Sequence, residues 1–178
     1  GNVAIGNYTL DAANSAEHYN TAVGHAALGT ETSGADYCVA IGAYALNLQN
    51  SNVKNTAVGG LAGDAITNGE RNTVLGYAAG SGITSNSDNT YLGHVAGQNA
   101  TGARNIAIGA GAYTDSSATG SDNVIVGHEA GDALTDGPGN VLIGKSAGGA
   151  MTTGDYNVAI GYQAADAMVG ESNANIAI

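Results

Sequence analysis

The chain contains no Phe and no Trp, a single Pro, a single Cys and only four basic residues among its 178. Each shortage closes a route. A thick globular core draws most of its buried area from large side chains, and here nine Tyr are the only aromatics. Cys38, standing alone, leaves no intrachain disulfide and no cysteine cluster for a metal. Lys54, Arg71, Arg104 and Lys145 are too few to track a phosphate backbone, so no nucleic acid partner is expected. A formal net charge of −11 suits anionic membranes poorly, and with no apolar run of spanning length no membrane insertion is expected. Charged residues at 11% and one Pro are also too few for a disordered chain. The 29 Gly follow no Gly-X-Y period, which excludes a collagen helix.

What the chain does have is one phrase, Asn-x-x-(Ile/Val/Leu)-Gly, written ten times. It ends at Gly6, Gly24, Gly42, Gly59, Gly76, Gly93, Gly109, Gly127, Gly144 and Gly161, at intervals of 16 to 18 residues, and an eleventh copy opens at Asn175. Within the phrase, position one is Asn except at Cys38. Position two is β-branched throughout, from Val3 and Thr21 to Val158, and position four is always Ile, Val or Leu. β-Branched residues fit a pleated strand, and Asn and Gly bound it. A near-constant Ala follows three residues after the Gly (Ala27, Ala45, Ala62, Ala79). A second apolar point comes next (Ile66, Ile83, Leu134, Met151, Met168), and a Thr-Gly turn closes the unit.

Such a unit is too short for a helix pair or a propeller blade, which take roughly 34 to 45 residues. Gly recurs too often for helical repeats, at about 1 kcal/mol for each helix interior position. The spacing predicts an all-β fold: a parallel β-solenoid of about ten 16–18-residue coils. Each coil reads as strand, bend, second strand, bend, with every rung filling the same slot as its neighbours. Residues 1–178 read as a single repeat domain. Because the chain opens and closes on a strand without a polar cap, it is expected to be a segment of a longer fibre.

Alternation along the strand sends positions two and four one way and position three the other. We expect positions two and four to form the coil's own core. Position three holds Ala22, Ala40, Ala57, Val74, Tyr91, Ala107, Ile125, Leu142 and Ala159, with no charge and no amide. An apolar outer face implies cover by another copy of the chain, so these nine are the expected oligomer face.

The stretches "NVAIG", "CVAIG" and "NIAIG" resemble the "SVAIG" repeats in the head domains of trimeric autotransporter adhesins. The longer "NTAVGHAAL" and "NVAIGYQAA" are similar to repeats in bacteriophage tail fibres and related virion appendages. The resemblance covers essentially the whole chain. It implies a left-handed parallel β-roll, a side-by-side homotrimer, and a surface-displayed adhesive or spacer role. Adhesin heads use a shorter repeat than the 16 to 18 residues found here.

Other columns carry side chains capable of chemistry. His25, His94 and His128 share the position just after the Gly. A three-fold axis would bring such side chains round a metal, but Asn7, Ala43, Gly60, Tyr77 and Lys145 interrupt the column, and exposed histidine without a ligand is the simpler reading. Asp11, Asp64, Asp132 and Asp166 recur near the second bend without the Gly-Gly-x-Gly-x-Asp units of calcium rolls, so turn chemistry is expected of them. Thr32, Thr67, Thr84, Thr101, Thr119, Thr135 and Thr152 form one rank, where ice binding needs two. Asn20, Asn55, Asn72, Asn89, Asn105, Asn123, Asn140 and Asn157 read as a structural ladder. No copy sets a nucleophile beside a base, so no enzyme, cofactor or metal is expected. The expected role is a non-enzymatic structural or adhesive segment of a phage tail fibre or virion appendage. The expected partners are other copies of the chain, side by side and end to end, and a cell-surface glycan or protein receptor. The alternatives are a bacterial surface trimeric adhesin head and an ice-binding solenoid.

Overall fold

The computed structural model describes residues 1–12, 18–30, 34–50, 54–168, 170 and 172–178; Thr32 lies outside them. Eleven short strands are present among the described residues: β1 (Val3–Ile5), β2 (Thr21–Val23), β3 (Val39–Ile41), β4 (Thr56–Val58), β5 (Thr73–Leu75), β6 (Thr90–Leu92), β7 (Ile106–Ile108), β8 (Val124–Val126), β9 (Val141–Ile143), β10 (Val158–Ile160) and β11 (Ile176–Ala177). They form one parallel sheet in sequence order. Every strand pairs in phase with the next, position two on position two, as Thr56 on Thr73 and Val58 on Leu75. The ten-fold phrase is therefore a β-solenoid of about ten coils.

The second strand expected in each coil is absent among the described residues. The return path is a series of turns, and its backbone still bonds from coil to coil. The amide of Leu28 donates to Ala45 O at 3.1 Å, that of Leu46 to Ala62 O at 3.1 Å and that of Gly63 to Ala79 O at 2.9 Å. Three left-handed residues per coil bend the chain too tightly for a strand. In the coil of β2 these are Tyr19, Ala26 and Leu28, with φ of 62°, 52° and 48°. Most such residues along the chain are not Gly, and each costs about 1–2 kcal/mol. Bonds between coils hold them there: Ala26 N donates to Asn7 O at 2.9 Å and Tyr44 N to His25 O at 2.8 Å. The Gly that ends each strand has no such freedom of identity. At Gly24 φ is +133°, and a Cβ would lie 2.6 Å from Gly42 O in the coil above.

Inside and outside are the reverse of the expectation from alternation. Ala22, Ala40, Ala57, Val74, Tyr91, Ala107, Ile125, Leu142 and Ala159 are fully buried within the single chain. Positions two and four are half-buried or exposed on every strand from β1 to β10. Position three is core, not an oligomer face. The reason is the narrowness of the coil, visible in how position three trades volume with the residue six further on. Ala22 and Ala40 face Leu28 and Leu46, and Ala107 faces Tyr113; all six are fully buried. Where position three is Val74, Tyr91, Ile125 or Leu142, the residue six on is Gly80, Gly97, Gly131 or Gly148. A Cβ on Gly80 would lie 2.7 Å from Val74 Cγ1, and one on Gly148 2.9 Å from Leu142 Cδ1. On Gly97 it would strike the Tyr91 ring. One slice of core has room for one large side chain between the two positions.

The Asn column lies at the inner edge of each strand, almost wholly buried. Its oxygen accepts the amide of the next Asn: Asn72 N to Asn55 Oδ1 at 2.7 Å, Asn89 N to Asn72 Oδ1 at 3.0 Å, Asn105 N to Asn89 Oδ1 at 2.9 Å, and onward to Asn175 N on Asn157 Oδ1 at 2.9 Å. In most coils its nitrogen donates to the closing turn, Asn55 Nδ2 to Gly69 O at 2.7 Å and Asn105 Nδ2 to Gly120 O at 2.9 Å; Asn89 Nδ2 bonds Asn72 Oδ1 at 3.1 Å instead, and the buried Asn123 Nδ2 reaches no closing-turn carbonyl. One side chain thus shuts its own coil and hangs the next one.

Two outcomes follow for unfolding experiments. Asn72→Ala strands the buried amide of Asn89 and should lower stability by about 2–4 kcal/mol, whereas Thr73→Ala, on the outer face, should change it by less than about 1 kcal/mol. Tyr91→Ala should cost about 3–5 kcal/mol through the cavity it leaves, and Gly97→Tyr should also destabilise by overpacking. The double variant reproduces the Ala107/Tyr113 slice and should recover most of the loss. A denaturant double-mutant cycle checks this, with a coupling energy above about 1 kcal/mol expected.

Candidate functional site

With position three inside, the outer face of the sheet is made by positions two and four. Position four presents Ile5, Val23, Ile41, Val58, Leu75 and Leu92, and continues through Ile108, Val126, Ile143 and Ile160. Position two presents Thr or a branched aliphatic residue. No charged side chain occurs at either position in ten strands. Leu75 is 47% exposed and Leu92 40%. Rungs ~4.8 Å apart and two rows ~6.6 Å apart make an apolar field of about 45 Å by 10 Å. Exposed apolar patches of several hundred Å² are where monomers meet partners.

Two polar margins run along this field. The first is the residue just before position one of each phrase, Asn or Cys38: Tyr19, Tyr37, Lys54, Arg71, Asp88, Arg104, Asp122, Gly139 and Tyr156. Its centre alternates in charge. Arg71 Nε donates to Asp88 Oδ1 at 2.7 Å, and Arg104 Nε to Asp122 Oδ1 at 2.6 Å; Arg71 also bonds Glu70. The hydrogen bond from Arg71 holds the Asp88 carboxyl below the usual range, and that from Arg104 does the same for Asp122. These pairs are exposed, so each contributes little to stability. Toward the amino-terminal end the margin is aromatic, with Tyr19 and Tyr37 stacked at 5.1 Å between ring centres.

The second margin is the residue just after each Gly: His25, Ala43, Gly60, Tyr77, His94, Ala110, His128, Lys145 and Tyr162. His25 sits edge-on between Tyr8 at 5.6 Å and Tyr44 at 5.2 Å. His94 stacks on Tyr77 at 5.7 Å, and His128 lies 3.4 Å from Glu129. Within the chain these histidines fall on separate coils, His94 and His128 about 10 Å apart. Among the described residues no group of three or more His, Cys, Asp or Glu is placed to hold a metal.

The acidic and Thr columns are spent on the rod itself. Thr67 Oγ1 donates to Thr84 O at 3.1 Å and Thr135 Oγ1 to Thr152 O at 2.8 Å, so these hydroxyls tie coil to coil. Asp64 and Asp132 are half-buried at the second bend, where desolvation pushes both carboxyls up. The buried Asp64 Oδ1 and the buried Asn47 Oδ1 both lack a donor. They occupy the same slot on adjacent coils, and turning the Asn47 amide over would point Nδ2 along that column.

Gln49 is the residue that sequence reading missed. It is fully buried beside the one gap in the ladder. Cys38 N still donates to Asn20 Oδ1 at 2.9 Å, while Asn55 Nδ2 reaches Gln49 Oε1 at 2.8 Å. Gln49 Nε2 in turn donates to Thr67 O at 3.2 Å. An amide appearing just where the Asn column fails was the available signal.

No family model, curated protein or solved structure matches the chain.

A carboxyl whose folded pKa is raised makes the fold more stable as pH falls through that raised value, with the gain complete below the unfolded pKa. Asp64→Asn removes this penalty. Its thermal midpoint should exceed that of the parent at pH 7, and the difference should shrink as pH falls into the ordinary carboxyl range. Parallel melting curves across that range check it.

Proposed function

We propose that this chain is a non-enzymatic, rigid segment of a phage tail fibre or similar virion appendage, assembled from side-by-side copies, that carries or contributes to host-receptor attachment. The observation that carries the reading is the outer sheet face: Ile, Val or Leu at position four in all ten full rungs and no charge at position two or four. Solvated sheet faces alternate apolar inside with polar outside. A field whose position-four row is aliphatic for its whole length, beside an uncharged row of Thr and branched aliphatics, is suited to burial against an identical field, rung on rung. Three copies sharing an axis along the rod fit that geometry, as the resemblance to trimeric adhesin heads and tail fibres implies.

The mechanism is mechanical. In-phase rungs leave no hinge among the described strands, and identical slots repeat one geometry from coil to coil. Such an object holds a binding tip at a fixed distance and presents its flanks in register. The same geometry serves a surface adhesin, in which the flanks themselves bind.

Sedimentation at micromolar concentration tests the reading. The parent should run as an oligomer, and Leu92→Lys with Val126→Lys, which sets two charges in the apolar field, should run as a monomer with its fold retained by circular dichroism. A parent that stays monomeric throughout, or a double variant that associates as well as the parent, overturns it.

A further inference from the structure

The two margins of the apolar field complement each other at equal height. Both belong to the same coil, six residues apart, so each coil offers one residue on each side. Asp88 shares a coil with His94, Asp122 with His128, Arg71 with Tyr77 and Tyr156 with Tyr162. Within one chain these partners do not meet: Asp88 bonds Arg71, Asp122 bonds Arg104, and His94 stacks on Tyr77. Between two copies they would. Matching the first margin of one copy to the second margin of another at the same height sets both acids opposite histidines and Arg71 against an aromatic ring, and puts no cation opposite a His. Sliding one copy by a coil in one direction sets Arg71 opposite His94 and Arg104 opposite His128, and of the two acids only Asp122 gains a partner, Lys145, while Asp88 meets Ala110. Sliding it the other way sets Arg104 opposite His94. Zero offset is the one of these three registers that keeps Arg away from His while setting both acids opposite a histidine.

We propose that copies of this chain pack in parallel and at the same height, the margin before the Asn of one copy lying against the margin after the Gly of the next. The proposal rests on the self-association argued above and adds its direction, register and contacts. Rotation about an axis parallel to the rod produces this arrangement and no other offset. Near-equal heights also bring the apolar rows of neighbouring copies together rung for rung. The asymmetry of the margins, acid on one side and imidazole on the other, then supplies the specificity that the uniform aliphatic field lacks.

Cysteine pairs read the register directly, because a disulfide needs Cα atoms within about 7 Å. In a Cys38→Ser background, Asp88→Cys and His94→Cys chains are refolded separately and together, then oxidised. The expected result is a covalent heterodimer in the mixture, at least tenfold more abundant than any dimer from either chain alone. The same should hold for Asp122→Cys with His128→Cys, and a mixture of Asp88→Cys with Ala110→Cys, one coil off, should give little. Dimers from single chains alone point to antiparallel packing and overturn the proposal. Preferential cross-linking of the off-coil pair, or none from a sample that sedimentation shows to be associated, also overturns it while leaving self-association standing. A sample that sedimentation shows to be monomeric overturns both.

Discussion

The structure depends on a buried amide doing two jobs at once. Most of these Asn accept the backbone N–H of the next residue in the column, one coil on, and donate to the turn that closes their own coil, as Asn55 does. Neither bond would be worth much alone, since a typical one contributes about 1 kcal/mol net. Together they pair the buried polar groups of the ladder where the chain turns inward, with the buried Asn123 Nδ2 the exception, and they lock height and closure to the same side chain. The left-handed residues depend on that lock. A Val95 held at φ 52° is unfavourable for a branched side chain, and it persists because Val95 N finds Tyr77 O at 2.9 Å only when the coils are in phase.

The period, the strand positions, the parallel in-phase pairing and the Asn column were all legible in the sequence, because each follows from repetition itself. The polarity of the strand was not. Alternation separates two faces but does not label them when both are apolar, and a shift of one residue exchanges them. The larger aliphatic residues of positions two and four looked like core, and the Ala of position three looked like a close-packed contact with a sister chain. The label was present in a different pattern: Ala22 with Leu28 and Ala107 with Tyr113, against Tyr91 with Gly97 and Leu142 with Gly148. Compensation of volume between two positions marks residues that share one enclosed space, and only interior positions do so. The missing second strand has a similar cause. A count of residues gives contour length, but left-handed bends at Ala26 and Leu28 consume the length that a strand would need.

Relocating the faces changes what the outside of the rod offers. A strip of small Ala would allow close approach and little else. A strip of Ile, Val and Leu buries more area for each rung and is harder to leave in water, at about 25 cal/mol for each Å² covered. Near-uniform apolar rows cannot specify height or direction, since any rung fits any other. That information has to sit where the residues differ from coil to coil, and on this sheet they differ at the two margins.

A division of labour follows. Inside, every coil faces the same demands: an amide at the ladder, Gly at the strand end, and no more than one large side chain between position three and the residue six on. Where one is broken, at Cys38, a neighbouring Gln49 restores the amide. Outside, nothing in the coil's closure constrains the residue before the Asn or after the Gly beyond tolerance of a bend, and there Tyr, Lys, Arg, Asp, His and Gly all occur. A fold that takes its stability from repeated interior slots can vary its margins coil by coil without loss. The surface pattern of such a rod is therefore free to encode its partner, and the alternating Arg71, Asp88, Arg104 and Asp122 are the part of that pattern in which charge, and not size, is being set.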